Sequence, residues 1–277
     1  LIANKTKLMV KSITSPVNPL IKNIVLLSEK SKARKESGTF VVEGQREIGM
    51  AIQGGYQLKT IVFNPTIVSY NHLLDRLGKI IFDTEIIEVT NLVYNKIAYR
   101  EGTEGVIAIF NTKTTSLSSL VLPPNNPLIM VAEAPEKPGN IGALFRTADA
   151  AGADAMIIAN PNTDIYNPNI IRSSIGCVFT NQIASASTSE IITYLKHNKI
   201  NIICASLASD SKSCYAMDFR KATALVVGTE STGLSEEWTT SSDHNIIIPM
   251  RGQIDSMNVS VSAAILLFEA VRQRLNP

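Results

Sequence analysis

Apolar residues recur at two different spacings along the first 111 residues of the chain. A spacing of three to four residues is typical of a helix with one buried face, whereas short β-branched runs are typical of strands. The first spacing predicts four helices, at 19–30, 43–53, 67–77 and 90–97. The second predicts four strands, at 39–42, 60–63, 79–82 and 105–110. Because strands and helices alternate, we expect an α/β domain over residues 1–111.

This alternation stops at residues 112–126, where Thr and Ser cluster and Pro123-Pro124-Asn125-Asn126 is followed by another proline. Prolines at this density cannot continue a helix or occupy a central strand. A chain of 277 residues is also long enough for two domains that each bury a core. We therefore expect a linker at 112–126 and a second domain at 127–277.

The second domain contains apolar runs that are nearly continuous, as in strands buried on both faces of a parallel sheet. They predict five strands, at 128–132, 155–159, 201–205, 223–227 and 245–248. Helices are predicted between and after them, at 139–151, 190–197, 235–240 and 259–274. The last helix is apolar on nearly every side, so we expect it to lie within the fold, at a subunit interface, or both. The predicted fold is α/β, with a helix-covered parallel sheet.

Composition narrows the class of protein. Hydrophobic residues make up 45% of the chain and charged residues 18%, which is typical of a folded globular protein. No apolar run approaches the roughly 20 residues that cross a bilayer, and no signal peptide is recognisable. Three cysteines without C-x-x-C spacing argue against a disulfide framework, and three scattered histidines argue against a metal site. We expect a cytoplasmic protein without a metal.

The charge of the chain is unevenly distributed, although the formal net charge is only +2. Residues 1–35 hold eight of the 26 basic residues and one of the 24 acidic residues. Such a basic end on a mildly acidic body suggests an arm that binds a polyanion by neutralising its phosphates. A solvated, partly frayed terminus would have the same composition, so charge alone leaves both interpretations open.

Three polar, glycine-containing segments lie at the ends of second-domain strands, where open α/β sheets bind their ligands. The first enters a helix that carries Asn140 and Arg146. Six residues apart, these two side chains point to different sides of a regular helix. The apolar neighbours of Arg146 indicate a guanidinium that is costly to bury without an anionic partner. That partner is either a phosphate or, in a structural salt bridge, Asp149 or Asp154.

The other two segments also allow both a structural and a functional interpretation. Gly228, Glu230 and Gly233 form a G-x-E-x-x-G turn, which by itself is most often an ordinary strand-to-helix connection. Ser256 and Asn258 precede the last helix, and capping that helix would be enough to explain both residues. The occurrence of all three segments at the ends of buried strands favours a single shared site.

In this order, the motifs N-x-G-x-x-x-R-T-A, V-G-x-E-x-x-G-L and I-P-M-x-G-x-x-x-S-M-N-V-S-V resemble those of the SpoU/TrmH branch of the SPOUT methyltransferases. Phe40-Val41-Val42-Glu43-Gly44, preceded by Ile13-Thr14-Ser15 and Asn18-Pro19, resembles the family's N-terminal RNA-binding domain, which is similar to a ribosomal protein of the L30e type. The resemblance covers nearly the whole chain. It departs at Met257, where the family more usually has Leu, and at Glu104, where it has Pro.

The resemblance implies a trefoil knot in the second domain and a homodimer in which the active site is complete. It also implies RNA as the partner, S-adenosylmethionine as the methyl donor and S-adenosylhomocysteine as the product. The residues implied to contact the donor are Gly228, Glu230, Gly233, Ile248 and Met257. The implied catalytic residues are Asn140, Arg146, Glu230, Ser256 and Asn258. We expect RNA to contact Lys22, Arg34, Lys35, Arg46 and Arg146.

The reaction implied by the resemblance is methyl transfer to a ribose 2′-hydroxyl. Arginine keeps its proton up to a pH of about 12. We therefore expect Arg146 to bind a phosphate and to stabilise the charge that develops on the hydroxyl oxygen. Ribosomal RNA of the 23S type is the expected substrate, because the first domain resembles a ribosomal protein, and transfer RNA is the alternative. A catalytically silent RNA-binding protein is the competing function. A serine hydrolase built on Ser256 is disfavoured, because the chain has no G-x-S-x-G motif.

Overall fold

The chain forms two compact units. The computed structural model describes residues 10–78, 84–99, 104–229, 232–254 and 256–275. The N-terminal unit comprises Leu1–Lys113 and Tyr166–Arg172, and the C-terminal unit comprises Thr114–Ile165 and Ser173–Pro277. No sequence pattern predicts that Tyr166–Arg172 belongs to the N-terminal unit. The domain bounds at 1–111, 112–126 and 127–277 stay a prediction.

Within the described residues, the N-terminal unit is built on a five-stranded mixed sheet in the order β1-β4-β3-β5-β2. Its strands are β1 (Lys11–Ile13), β2 (Thr39–Glu43), β3 (Leu58–Phe63), β4 (Glu85–Val89) and β5 (Val106–Asn111). Its helices are α1 (Pro19–Glu29), α2 (Ser31–Ser37), α3 (Gln45–Gln53), α4 (Tyr70–Leu77) and α5 (Asn91–Ile97). The α/β prediction for this region is confirmed. The strand predicted at 79–82 lies outside the described residues, and β1, β4 and α2 were not predicted.

Local side-chain chemistry sets the helix starts in this unit. Asn18 accepts a hydrogen bond from the backbone N–H of Leu20 at 2.9 Å. Pro19 follows in the first turn of α1, where a backbone N–H would have no partner within the helix, so the missing N–H of proline costs nothing. Ser69 caps α4 in the same way, so this helix begins three residues later than the apolar spacing predicts. The apolar face of α1 packs with the sheet and α5 into one core, in which burial stabilises the fold by roughly 1.5–3 kcal/mol for each large side chain.

The interpretation of residues 1–35 as a basic arm needs correction. From Lys11 onward these residues belong to β1, α1 and α2 of the folded unit, while residues 1–9 lie outside the described part of the chain. Arg34 was predicted to bind RNA, but its side chain is only 3% exposed. Its guanidinium donates to the carbonyl oxygens of Leu27 at 2.6 Å and Ser28 at 3.3 Å. It therefore satisfies the last carbonyls of α1, and the RNA-binding prediction for Arg34 is wrong.

The described part of the C-terminal unit contains a seven-stranded sheet in the order β10-β12-β9-β11-β6-β7-β8, with every neighbouring pair parallel. The strands are β6 (Leu128–Glu133), β7 (Ala155–Ala159), β8 (Ile183–Ala186), β9 (Asn201–Ala205), β10 (Lys212–Ser213), β11 (Thr223–Val227) and β12 (His244–Ile247). The helices are α6 (Pro138–Ala151), α8 (Thr188–His197), α9 (Glu236–Ser241) and α10 (Val259–Leu275), while α7 (Pro168–Ser173) belongs, except for Ser173, to the N-terminal unit. The prediction of a helix-covered parallel sheet is confirmed, while β8, β10 and α7 were not predicted. The trefoil knot stays a prediction.

The last helix, α10, packs against α6 and β11 through Ala263, Leu266, Leu267 and Ala270, which are buried. Its opposite face is exposed and carries apolar residues together with Arg272. Val261 and Phe268 are each 48% exposed, and Leu275 is 74% exposed. The helix thus lies partly within the unit and leaves an apolar stripe on the surface of the chain.

The described residues also bear on the sequence predictions about membrane spans, metal sites and cysteines. None of their helices is long and apolar enough to cross a membrane. Over the same ranges, no group of three or more His, Cys, Asp or Glu side chains is placed to hold a metal ion. Cys177, Cys204 and Cys214 are buried free thiols. Burial raises the pKa of Cys204 to about 12, so this thiol is protonated at neutral pH.

Candidate active site

A cavity of about 840 Å³ opens at the carboxyl edge of the parallel sheet in the C-terminal unit. Its walls are the segments that follow β9 and β11 and the segment that precedes α10. The cavity is lined by residues 205–208, 227–229, 232–234 and 256–259, with Thr239 and Ser262. Among these described residues none is charged. The second and third sequence motifs therefore meet at one site, as their positions at strand ends predict.

The second motif forms a tight loop that only glycine permits at its base. Thr229 and Gly233 exchange two backbone hydrogen bonds, of 3.1 Å and 3.2 Å, so the loop folds back on itself. A Cβ atom on Gly228 would lie 2.2 Å from the carbonyl carbon of Gly233 and 2.5 Å from the backbone nitrogen of Leu234. Gly233 itself has φ of 70°, in the left-handed region that favours glycine. Glu230, predicted both for catalysis and for donor binding, lies outside the described residues.

The third motif places Ser256, Met257 and Asn258 on the cavity wall. The side-chain oxygen of Asn258 accepts hydrogen bonds from the backbone N–H of Ser260 at 3.0 Å and from its hydroxyl at 2.6 Å. Asn258 therefore caps α10, as its structural interpretation predicts. Its amide nitrogen also donates to the side-chain oxygen of Asn140 at 3.2 Å. Capping and a role in the site are both compatible with this geometry.

Asn140 brings the first motif to the same place. It lies in the first turn of α6 and lines a smaller cavity of about 90 Å³, together with Pro135, Glu136 and Lys137. This smaller cavity shares Gly228, Thr229 and Val259 with the larger one. All three motifs thus contribute side chains or backbone to two adjoining cavities.

Arg146 lies apart from these cavities. Because α6 is helical from Pro138 to Ala151, a separation of six residues turns Arg146 about 120° away from Asn140, as predicted. Its side chain is exposed, which contradicts the expectation of a guanidinium among apolar neighbours. Asp149 accepts instead from the Thr180 hydroxyl, and Asp154 from the backbone N–H of Leu128. Within the described ranges neither carboxylate pairs with Arg146, so the salt-bridge alternative is wrong.

The residues predicted to contact the donor are only partly brought together. Gly228, Gly233 and Met257 line the larger cavity. Ile248 directly follows β12 and is half-buried, but it is not among the described residues that line this cavity. The described residues of this chain therefore give no structural reason to place Ile248 at the cavity.

One residue of the site was not predicted. Glu133 ends β6 at the same edge of the sheet and is only 7% exposed. Its carboxylate accepts hydrogen bonds from the backbone N–H of Ser235 at 2.8 Å, from the Ser235 hydroxyl at 2.7 Å and from the Thr188 hydroxyl at 3.2 Å. The sequence signal was a carboxylate that ends an otherwise continuous apolar strand.

Comparisons with known proteins agree with this geometry. The SpoU rRNA Methylase family matches residues 127–268, and the MRM3-like substrate binding domain matches residues 18–108. The chain is 28% identical over 256 residues to a 23S rRNA (uridine(2479)-2′-O)-methyltransferase of Streptomyces viridochromogenes, covering 91% of this chain and 88% of that protein. It is 35% identical over 149 residues to a tRNA (guanosine(18)-2′-O)-methyltransferase of Thermus thermophilus, covering 53% of this chain and 76% of that protein.

A solved structure is also similar over nearly the full length. The AdoMet-bound rRNA methyltransferase from Sinorhizobium meliloti superimposes with a TM-score of 0.87 at 29% identity, covering 95% of this chain and 98% of that one. The resemblance seen in the sequence motifs is confirmed by these matches. This chain belongs to the SpoU rRNA Methylase family.

Proposed function

We propose that this protein transfers a methyl group from S-adenosylmethionine to a ribose 2′-hydroxyl of RNA. The observation that carries the proposal is the 3.2 Å hydrogen bond from Asn258 to Asn140. This bond joins the first and third motifs. It lies beside a cavity whose wall includes the glycine loop of the second motif. The three motifs carry the family resemblance, and here they form one site.

The larger cavity fits the chemistry of S-adenosylmethionine. Its volume lies within the roughly 300–1,000 Å³ of small-molecule sites, and it is lined by backbone, hydroxyl and apolar groups. The donor carries a positive sulfonium, and no lysine, arginine or histidine among the described lining residues would repel it. Gly228, Gly233 and Met257 are the donor-contacting residues in this proposal. When bound, the donor supplies an electrophilic methyl group.

The chain's own residues have to hold and activate the ribose. Asn140 lines the smaller cavity and Asn258 lines the larger one, and their hydrogen-bonded side chains would orient the ribose hydroxyls, with Ser256 on the wall of the larger cavity. Because Arg146 is exposed and cationic, it would bind a phosphate of the RNA and stabilise the negative charge that develops on the attacking oxygen. Glu230, which the family resemblance implies to be catalytic, keeps that role in the proposal.

A homodimer is part of the proposed function. Val261, Phe268 and Leu275 form an apolar stripe along the outer face of α10 that a second copy would remove from water. Arg146 does not line the cavities of its own chain among the described residues. We therefore propose that Arg146 of one copy completes the site of the other.

The N-terminal unit offers a surface for RNA. Lys22, Lys35 and Arg46, three of the predicted contacts, are exposed. Arg46 also lines an open groove of about 360 Å³, in which Arg76 is a second cation, Glu104 is the one acid among the described lining residues and Met50 contributes apolar surface. Two guanidinium planes beside apolar and amide side chains suit unstacked bases and phosphates of single-stranded RNA.

Replacing Arg46 and Arg76 together with glutamine should weaken binding of a single-stranded RNA 12-mer about tenfold at low salt. Two lost phosphate contacts should also reduce the slope of log affinity against log salt by about 1.4. Fluorescence anisotropy at several salt concentrations measures both quantities. Lys59→Gln, on an exposed position of β3 outside this groove, is the control. An unchanged salt slope in the double variant would show that the groove does not contact phosphates.

We propose ribosomal RNA of the 23S type as the substrate. The likeness to the 23S rRNA methyltransferase covers 91% of this chain and so includes the N-terminal unit, whereas the likeness to the tRNA methyltransferase covers 53%. The substrate-binding match at residues 18–108 lies in the same N-terminal unit. Transfer RNA is the second candidate.

Tritium transfer from labelled S-adenosylmethionine tests the activity and the substrate together. Purified protein should label rRNA from a strain that lacks it, and alkali-resistant dinucleotides should identify the product as a 2′-O-methyl ribose. Labelling of tRNA with rRNA unlabelled would overturn the rRNA assignment. RNA binding without label in either fraction would indicate the catalytically silent alternative.

A further inference from the structure

Glu133 is a buried carboxylate to which no catalytic or donor-contacting role has been assigned above. All three of its recorded hydrogen bonds come from neutral donors, two on Ser235 and one on Thr188. A buried carboxylate is stable only when donors satisfy its oxygens. Its position is therefore tied to the start of α9, where Ser235 lies, and to the start of α8, where Thr188 lies.

Ser235 connects this carboxylate to the wall of the larger cavity. Residues 232–234 line the cavity and directly precede Ser235. Leu234 also packs against the hydrophobic core. Among the described residues of the loop, Thr229 and Gly233 exchange backbone hydrogen bonds, and the Thr229 hydroxyl bonds both the hydroxyl and the backbone N–H of Thr232. Those bonds fix the shape of the loop but do not attach it to the sheet.

The network continues on the other side of Glu133. The Thr188 hydroxyl accepts a hydrogen bond from the amide of Asn160 at 2.9 Å, and Asn160 accepts from the backbone N–H of Thr188 at 3.3 Å. Asn160 directly follows β7, the strand that pairs with β6. The carboxylate at the end of β6 is thus linked through Thr188 to the end of the adjacent strand β7, and through Ser235 to the cavity loop.

We propose that Glu133 is a positioning residue that fixes the 232–235 wall of the cavity and thereby sets the affinity for S-adenosylmethionine. The inference rests on the proposed function, because it takes this cavity as the donor site. Glu133 need not touch the donor. Its carboxylate acts through Ser235, and its loss leaves the wall without its attachment to β6.

The test measures the Kd of S-adenosylhomocysteine by titration calorimetry and the steady-state constants for both substrates. Glu133→Ala should raise the Kd and the KM for the donor at least tenfold. The kcat at saturating donor and the KM for RNA should stay within twofold. Glu133→Gln should raise the Kd less than threefold, because its amide oxygen can still accept from the Ser235 N–H while the hydroxyls turn to accept from its nitrogen.

Glu190→Ala is the matched control. Glu190 also accepts a backbone N–H at a helix start, from Ser187 at 2.8 Å, but Ser187, unlike Ser235, does not adjoin residues that line the larger cavity. Its variant should lose thermal stability and keep the wild-type Kd. A Glu133→Ala protein that is folded and binds S-adenosylhomocysteine with the wild-type Kd would overturn the inference and leave Glu133 a purely structural residue.

Ser235 provides a second route if Glu133→Ala does not fold. Ser235→Ala removes the 2.7 Å hydroxyl bond and keeps the backbone N–H bond, so the Kd should rise about threefold. Ser235→Thr should restore it. Equal Kd values in both variants and the wild type would overturn the inference. A wild-type protein that does not bind S-adenosylhomocysteine would instead contradict the proposed function itself.

Discussion

Arg146→Ala should lower the rate of methyl transfer about 100-fold or more while the Kd of S-adenosylhomocysteine stays within twofold of wild type. The guanidinium is exposed and lies outside the described lining of the donor cavity, so donor binding does not depend on it. Removing one group that stabilises charge in a transition state typically costs about 10²–10³ in rate. Single-turnover methylation of rRNA at saturating donor measures the effect.

Two further variants define what Arg146 contributes. Arg146→Lys keeps the charge and loses the planar fork, so partial activity would indicate simple charge stabilisation rather than bidentate phosphate binding. Asp149→Asn, at an exposed position of the same helix, is the control and should stay near the wild-type rate. A fully active Arg146→Ala protein would remove Arg146 from the catalytic assignment.

Mixed dimers test whether Arg146 acts on the opposite copy. Arg146→Ala and Asn258→Ala chains, each inactive alone, should regain about a quarter of wild-type activity when mixed in equal amounts. Half of the dimers would then be mixed, and each would hold one complete site. No recovery in dimers shown to be mixed would place Arg146 in the site of its own chain.

The fold could be predicted from the sequence largely because buried parallel strands have a distinct pattern. Continuous apolar runs such as 155–159 and 223–227 coincide with β7 and β11. The convergence of the motifs followed from topology, since the carboxyl ends of parallel strands share one edge of the sheet. The two-residue strand β10 and the three-residue strand β1 are too short for any periodicity to reveal.

The surroundings of three residues depend on contacts that local sequence does not encode. In the sequence, Arg34 and Lys35 are two neighbouring members of one basic cluster. Only the structure shows that Arg34 is buried and donates to the carbonyl oxygens of α1. Arg146 follows Leu144 and Phe145, but adjacent helical residues point in different directions, so their burial does not extend to it. The role of Glu133 depends on Ser235, which lies 102 residues away in the chain.

Gly228→Ala should abolish measurable binding of S-adenosylhomocysteine and lower stability. A Cβ at this position would lie 2.2 Å from both the carbonyl carbon and the carbonyl oxygen of Gly233. These are backbone atoms of a loop closed by its own hydrogen bonds, so relief of the clash requires the cavity wall to move. Overpacking of this kind typically costs about 1–3 kcal/mol of folding free energy, and the displaced loop would deform the donor cavity.

Calorimetry and urea denaturation of the same preparation separate the two effects of this substitution. Gly252→Ala is the matched control, because a Cβ there meets no heavy atom within 4 Å and the residue has no positive φ. It should keep the wild-type Kd and a stability within about 0.5 kcal/mol of wild type. The clash requires the cavity wall to move, so donor affinity in Gly228→Ala equal to that of Gly252→Ala would contradict the assignment of this cavity as the donor site. The second motif would then be a structural turn.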